Sequence, residues 1–166
     1  MDAPEYLYHG SDNRGIQIFE PKAERVRDKA EGLVVFATQD KSFASMFLAP
    51  GDDSWTHKSR INGKYYHVIS DRERYLREDK GGMIYTLPSR TFETVPNKGM
   101  GKYEWVSKVP VKPILTETFE SGLEAQKKLG VQVCFVGGDE FRRLQENLQA
   151  GKIAETLEMM KSFIAE

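Results

Sequence analysis

Apolar residues in this chain come first in short runs closed by turn-formers, and later in longer stripes at helical spacing. Tyr6–His9 is a compact β-prone run that stops at Gly10-Ser11-Asp12-Asn13. Ile16–Phe19 alternates and ends before Pro21, which predicts a second short strand. Residues 22–31 are almost wholly charged or alanine and read as an exposed helix or a loop. Leu33–Ala37 is a continuous apolar run, the pattern of a central strand. Thr38 is placed to cap a helix over 39–48, in which Phe43, Met46 and Phe47 share one face. Asn62-Gly63 between β-prone flanks predicts a tight hairpin, because both residues tolerate positive φ.

Met83–Leu87, Tyr103–Ser107 and Val109–Thr116 are further predicted strands, the last pushed to an edge by Pro110 and Pro113. The end of the chain changes character. Ser121 and Glu124 have capping-box spacing, and Gly130 is placed to stop the helix behind them. Val131–Val136 reads as a strand. Phe141, Leu144 and Leu148, then Ile153, Leu157, Met160 and Ile164, predict two helices parted near Gly151. Many short strands, one early helix and helices gathered at the end predict an α+β fold. The expected arrangement is two facing sheets of short, mostly antiparallel strands, with the C-terminal helices packed alongside. One domain over 1–166 is expected, with a sheet core over 1–136 and a helical extension over 137–166.

Composition narrows the class. With 166 residues, 39% hydrophobic and 30% charged, the chain can bury a core without a disulfide or metal staple. Cys134 is the only cysteine, which excludes a disulfide scaffold and a Cys-rich zinc site and favours a reducing compartment. It lies in an apolar strand pattern, so it is expected to be a buried spectator. With three histidines, a metal site would need carboxylates, and no metal cofactor is expected. The longest apolar runs are too short to span a bilayer, and Met1–Glu5 is no signal peptide. The expectation is a cytoplasmic protein without a membrane partner. Net charge is −1, but residues 51–113 carry 12 Lys/Arg against 8 Asp/Glu. This basic middle reads as a solvated loop-rich region or as a face toward an anionic substrate.

Three segments could carry chemistry. Tyr8-His9-Gly10-Ser11 offers an imidazole beside backbone that a ligand can approach closely. Gly32–Thr38 feeds a helix bearing Phe43, Ala44 and Phe47, which could hold a flat ring by stacking. Lys102–Ser107 would set Glu104 on a largely apolar strand. Taken singly, each has an ordinary structural reading: a turn histidine, a core stripe and a solvent-facing carboxylate.

In this order, however, the three segments resemble the ADP-ribosyltransferase-like fold, in particular its His-Tyr-Glu branch, which includes the poly(ADP-ribose) polymerase catalytic domains. The resemblance is carried by Tyr8-His9-Gly10-Ser11 and by residues 32–47, with Glu104 completing it. It implies NAD as a substrate held in a cleft. His9 would match the histidine that hydrogen-bonds an NAD ribose hydroxyl, and Gly10 the residue whose backbone pairs with the nicotinamide amide. Glu104 would match the glutamate that holds the nicotinamide ribose and stabilises its developing positive charge. Ser11, Phe36, Ala37, Thr38, Ser42 and Phe43 would complete the binding surface, with Phe47 stacking on nicotinamide. Two positions depart from the pattern. Val35 precedes Phe36-Ala37 where the family often has tyrosine, and Phe47 stands near the family's stacking tyrosine.

The implied activity is NAD-dependent ADP-ribosyl transfer to a protein, nucleic acid or small molecule. Two alternatives share the fold. One is an RNA 2′-phosphotransferase-like enzyme that also uses NAD, for which Arg14, Arg60, Arg72, Arg74 and Arg77 are candidate anion contacts. The other is a nucleotide-binding module that has lost the chemistry.

Overall fold

The computed structural model describes residues 3–22, 32–94 and 101–164. It is an α+β protein in which the strands of the described residues form three small sheets, where the sequence pattern predicts two. In the first sheet, β5 (Gly82–Pro88) lies between β1 (Tyr6–Ser11) and β8 (Leu115–Phe119), antiparallel to both. In the second, β7 (Trp105–Ser107) lies between β2 (Val35–Ala37) and β6 (Phe92–Thr94), again antiparallel. In the third, β4 (Lys64–Ile69) pairs antiparallel with β3 (Thr56–Ile61) and parallel with β9 (Gln132–Phe135). The β3–β4 hairpin turns at Asn62 and Gly63, with φ of 51° and 80°, the positive values that an Asn-Gly turn accommodates.

The first two sheets meet where Tyr8 and Thr38 exchange backbone hydrogen bonds of 2.7 and 2.9 Å. They share one core: Leu7, Tyr85 and Leu87 from the first pack with Val35, Ala37 and Phe92 from the second. The third sheet has helices on both faces. Tyr65, Ile69 and Val133 pack with Phe43 of α1 (Lys41–Ser45) and with Tyr75 of α2 (Arg72–Glu78). On its other face, Ile61, Tyr66, Val68 and Cys134 pack under α4 (Gly138–Gln149) and α5 (Ile153–Lys161). Phe141, Leu144 and Met160 are buried there and Leu157 packs against them, as the helical stripes predict, but Ile153 is exposed and Ile164 packs from beyond α5, in an isolated bridge to Cys134. Full burial among these residues pushes the Cys134 thiol up to about 12.

Several local expectations need correction. The helix expected over 39–48 is a single turn, α1, followed by a 3₁₀ turn over Met46–Leu48. Its cap is Asp40, whose carboxylate accepts from the Ser42 amide at 3.1 Å. Thr38 lies too far ahead of α1 to cap it: its backbone pairs with Tyr8, and its hydroxyl accepts from the amide of Asp40, the residue that does cap the helix. Phe19 makes an isolated bridge to Val111 rather than a strand over 16–19. The strand expected over 109–116 is divided: after that bridge, β8 begins only at Leu115, with Pro113 between. Tyr103 belongs to a 3₁₀ turn over Gly101–Tyr103, so Glu104 precedes β7 and does not lie on it. The exposed helix or loop expected over 22–31 falls, beyond Lys22, outside the described residues. Ser121 caps α3 (Gly122–Lys128) by accepting from the Glu124 amide at 3.2 Å, as expected.

Among the described residues, no helix is long and apolar enough to cross a membrane, and no group of His, Cys, Asp and Glu is arranged to hold a metal.

Candidate functional site

A cleft of about 270 Å³ opens where the first two sheets meet the start of α1. β1 contributes Tyr8, His9 and Gly10, and β2 with its following residue contributes Phe36, Ala37 and Thr38. Phe43 and Ala44 of α1, Phe47 of the 3₁₀ turn, and Glu104 ahead of β7 close the lining. The surface is therefore mostly apolar, with few polar groups set into it, as small-molecule sites usually are.

Each element has a reason to be there. The bridge between Tyr8 and Thr38 ties the end of β2 to β1, so His9 and Phe36 become neighbours across 27 residues of sequence. The His9 Nδ1–H donates to the Phe36 carbonyl at 2.6 Å. A carbonyl only accepts, so Nδ1 carries the proton and Nε2 the lone pair in the neutral ring. The ring also packs against Phe19, centroid to centroid 4.6 Å. Gly10 lies beneath α1: a Cβ there would stand 1.9 Å from the Ala44 carbonyl oxygen. Its glycine is thus required by the strand–helix contact itself.

Phe47 is 46% exposed, unusual for a phenyl ring, and lies edge-on to Phe43 at 5.3 Å. Phe43 in turn stacks on Tyr65 at 5.6 Å, which anchors the aromatic wall to the third sheet. Burial, and then the nearby Asp40 carboxylate, push the Tyr65 hydroxyl upward, so it is neutral at ordinary pH. Lys41 lies over the Tyr8 ring and pairs with Glu117 at 3.4 Å. A smaller hollow of about 60 Å³ adjoins His9 and Phe36 and is bounded by Phe19 and Lys22.

Of the residues singled out in the sequence, His9, Gly10, Phe36, Ala37, Thr38, Phe43, Phe47 and Glu104 line this one cleft. Ser11 and Ser42 do not. The Ser11 hydroxyl accepts from the Asn13 amide at 3.1 Å and supports the turn after β1. The Ser42 hydroxyl donates to the Leu129 carbonyl at 2.5 Å, tying α1 to the end of α3. Tyr8, from the same motif, also lines the cleft and bridges to Thr38.

The five arginines considered for an RNA phosphate have diverse positions. Arg14 donates to the Lys80 and Phe119 carbonyls. Arg72, Arg74 and Arg77 are on α2, with Arg72 over Phe135 and Arg74 over Trp55. Arg60 alone reaches the cleft's border, 4.2 Å over the ring of Tyr103, the neighbour of Glu104. Comparisons with protein-family models, with curated proteins and with solved structures found no match to this chain.

Proposed function

We propose that the protein is an NAD-dependent ADP-ribosyltransferase: it cleaves the nicotinamide–ribose bond and passes ADP-ribose to an acceptor. One observation carries the reading. Eight of the ten residues that the resemblance assigns to NAD line a single cleft, although they come from four separate segments. A cleft of this size suits a nicotinamide ring and its ribose better than the whole dinucleotide.

In this reading the chain's own groups have separate tasks. Phe47 stacks on the nicotinamide ring, and Phe36 and Phe43 complete its apolar seat. His9 accepts a hydrogen bond from a ribose hydroxyl at Nε2, held in that tautomer by the Phe36 carbonyl. Glu104 lines the same cleft. As the bond to nicotinamide lengthens, positive charge develops on the ribose, and a carboxylate there lowers the barrier electrostatically. The scarcity of polar groups in the lining favours this, since a charge acts more strongly where water is excluded. Phe47 supplies no hydroxyl, so the orientation of nicotinamide falls to the backbone of Gly10.

The test is calorimetric NAD titration beside an assay for released nicotinamide, on wild type and Glu104→Gln. Wild type is expected to bind NAD and release nicotinamide. Glu104→Gln should bind comparably and turn over about 10²–10³-fold more slowly, as for loss of one oxyanion-type electrostatic group. NAD binding without release under any acceptor tried would make the cleft a binding module. Equal turnover in Glu104→Gln would remove the catalytic assignment.

A further inference from the structure

We propose that a cationic shelf beside the cleft, formed by Lys58, Arg60 and Lys102, binds the phosphate backbone of a single-stranded nucleic acid. Its role as the strand that accepts ADP-ribose rests on the reading above. The step it would serve forms one bond, from an acceptor oxygen or nitrogen to ribose C1′. It breaks the bond from C1′ to nicotinamide, which leaves neutral with the electron pair, and the acceptor's proton passes to solvent.

The shelf is built from two sides. Lys58 and Arg60 stand two residues apart on edge strand β3, so they project from the same face, about 7 Å from one another along the strand. Lys58 Nζ lies 5.3 Å over the ring of Phe47, and Arg60 Cζ lies 4.2 Å over the ring of Tyr103. Lys102, from the 3₁₀ turn, approaches the same Tyr103 ring at 5.3 Å. Phe47 and Glu104 are cleft walls, so the cations stand along its border.

Among the described residues the shelf makes no close ion pair, whereas Lys41 pairs with Glu117, Arg74 with Glu78 and Lys108 with Glu93. Among the described residues, neither Lys58, Arg60 nor Lys102 has a carboxylate within 4.0 Å, and the buried Arg60 Nε has no hydrogen-bond partner. Burial lowers the Lys58 ammonium from its ordinary value while Asp53 opposes that, so an arriving anion would further favour its charged form.

Cations interleaved with aromatic rings are the surface that single strands use, the cations following phosphates and the rings offering apolar faces. An acidic peptide is the weaker occupant, since its carboxylates find no such rings to match. A duplex fits poorly, because its reacting atom would have to reach between Phe47 and Glu104 inside a narrow cleft. With net charge −1, the chain has no global attraction for polyanions, so binding must be local.

The experiment is fluorescence anisotropy of a labelled oligothymidylate of about 12 nucleotides, without NAD, at about 50 and 200 mM salt. An acidic peptide of equal length is the control. Wild type is expected to bind the oligonucleotide better than the peptide and to weaken as salt rises. Each of Arg60→Gln and Lys102→Ala should lower the logarithmic salt slope by about 0.7. Lys102 is exposed, so its variant keeps the test sound if Arg60→Gln unfolds, which a thermal melt reports.

No oligonucleotide binding by wild type, equal binding of the peptide, or unchanged slopes in both variants would overturn the proposal. So would competition by NAD with matching loss of NAD affinity in both variants, because the cations would then serve the dinucleotide's own diphosphate. Oligonucleotide binding without any NAD binding would support the shelf and sink the transferase reading. Nicotinamide release without oligonucleotide binding would do the reverse.

Discussion

Acidifying the protein from pH 7 to pH 5 is expected to remove about 2 kcal/mol of stability through His67 alone. His67 is fully buried on β4 behind the cleft's aromatic wall. Gln126 donates its amide hydrogens to the Tyr75 hydroxyl at 2.7 Å and to the Gly122 carbonyl at 3.1 Å, so its oxygen faces His67 as an acceptor. The His67 Nδ1–H therefore donates to that oxygen, at 2.6 Å, and Nε2 is left without a hydrogen-bond partner among the described residues. Burial, and then the positive charge of Lys58, push the imidazole down to about 3. In the unfolded chain it titrates near its ordinary value of 6.5.

Between those two values the unfolded state binds a proton that the folded state refuses, so stability falls as pH falls. The contribution is intact above about 6.5 and declines by about 1.4 kcal/mol per pH unit below it. Against a total of roughly 5–15 kcal/mol for a domain, such a loss is readily measured. The assay is urea unfolding at pH 7 and pH 5 for wild type and His67→Asn, whose amide keeps the donor toward Gln126. The variant is expected to be less stable at pH 7 but to lose much less on acidification. His57 is lowered too, by burial first, and accounts for residual slope in the variant. If both proteins lose the same stability between the two pH values, the assignment to His67 is refuted.

Three further outcomes are expected. Gly10→Ala should cost about 3 kcal/mol by thermal melting, because its methyl would meet the Ala44 carbonyl and backbone cannot swing aside as a side chain can; an unchanged melting temperature would show that β1 and α1 separate easily. Asp79→Ala should cost about 3 kcal/mol in urea unfolding. Its carboxylate accepts from the Gly81, Gly122 and Leu123 amides and the Ser121 hydroxyl at 2.7–3.0 Å, and a neutral effect would mean that water replaces it at no cost. Phe47→Ala should weaken NAD binding by calorimetry about tenfold through lost stacking; with the ring already 46% exposed, stability should hardly change, and unaltered NAD affinity would remove Phe47 from the site.

Much of the local structure was legible because it depends on neighbours in sequence. The Asn62-Gly63 turn, the Ser121 cap, the apolar stripe of α4 and the middle of that of α5 follow from backbone preference and from side-chain period, and all are present. Errors arose where a distant partner overrode those preferences. Thr38 has the chemistry of a cap, yet its backbone bridges to Tyr8, and Asp40 caps a helix that starts only at Lys41. Phe19 and Val111 alternate like strand residues, but each finds only the other, across a chain separation that no local pattern encodes.

The candidate site divides in the same way. The residue types that suggested NAD stand in the sequence, as do their order and the resemblance they carry. Ser42 and Ser11 turn aside to hydrogen bonds made elsewhere, and Glu104 sits before its strand yet still lines the cleft, neither of which a local pattern encodes. The shelf was the least legible part. Lys58 and Arg60 gain meaning only when the third sheet brings them beside Phe47 and Tyr103, from segments that share no pattern. Periodicity states which face of an element is apolar; which faces meet is decided by closing long loops around a common core, an interaction that exists only in three dimensions.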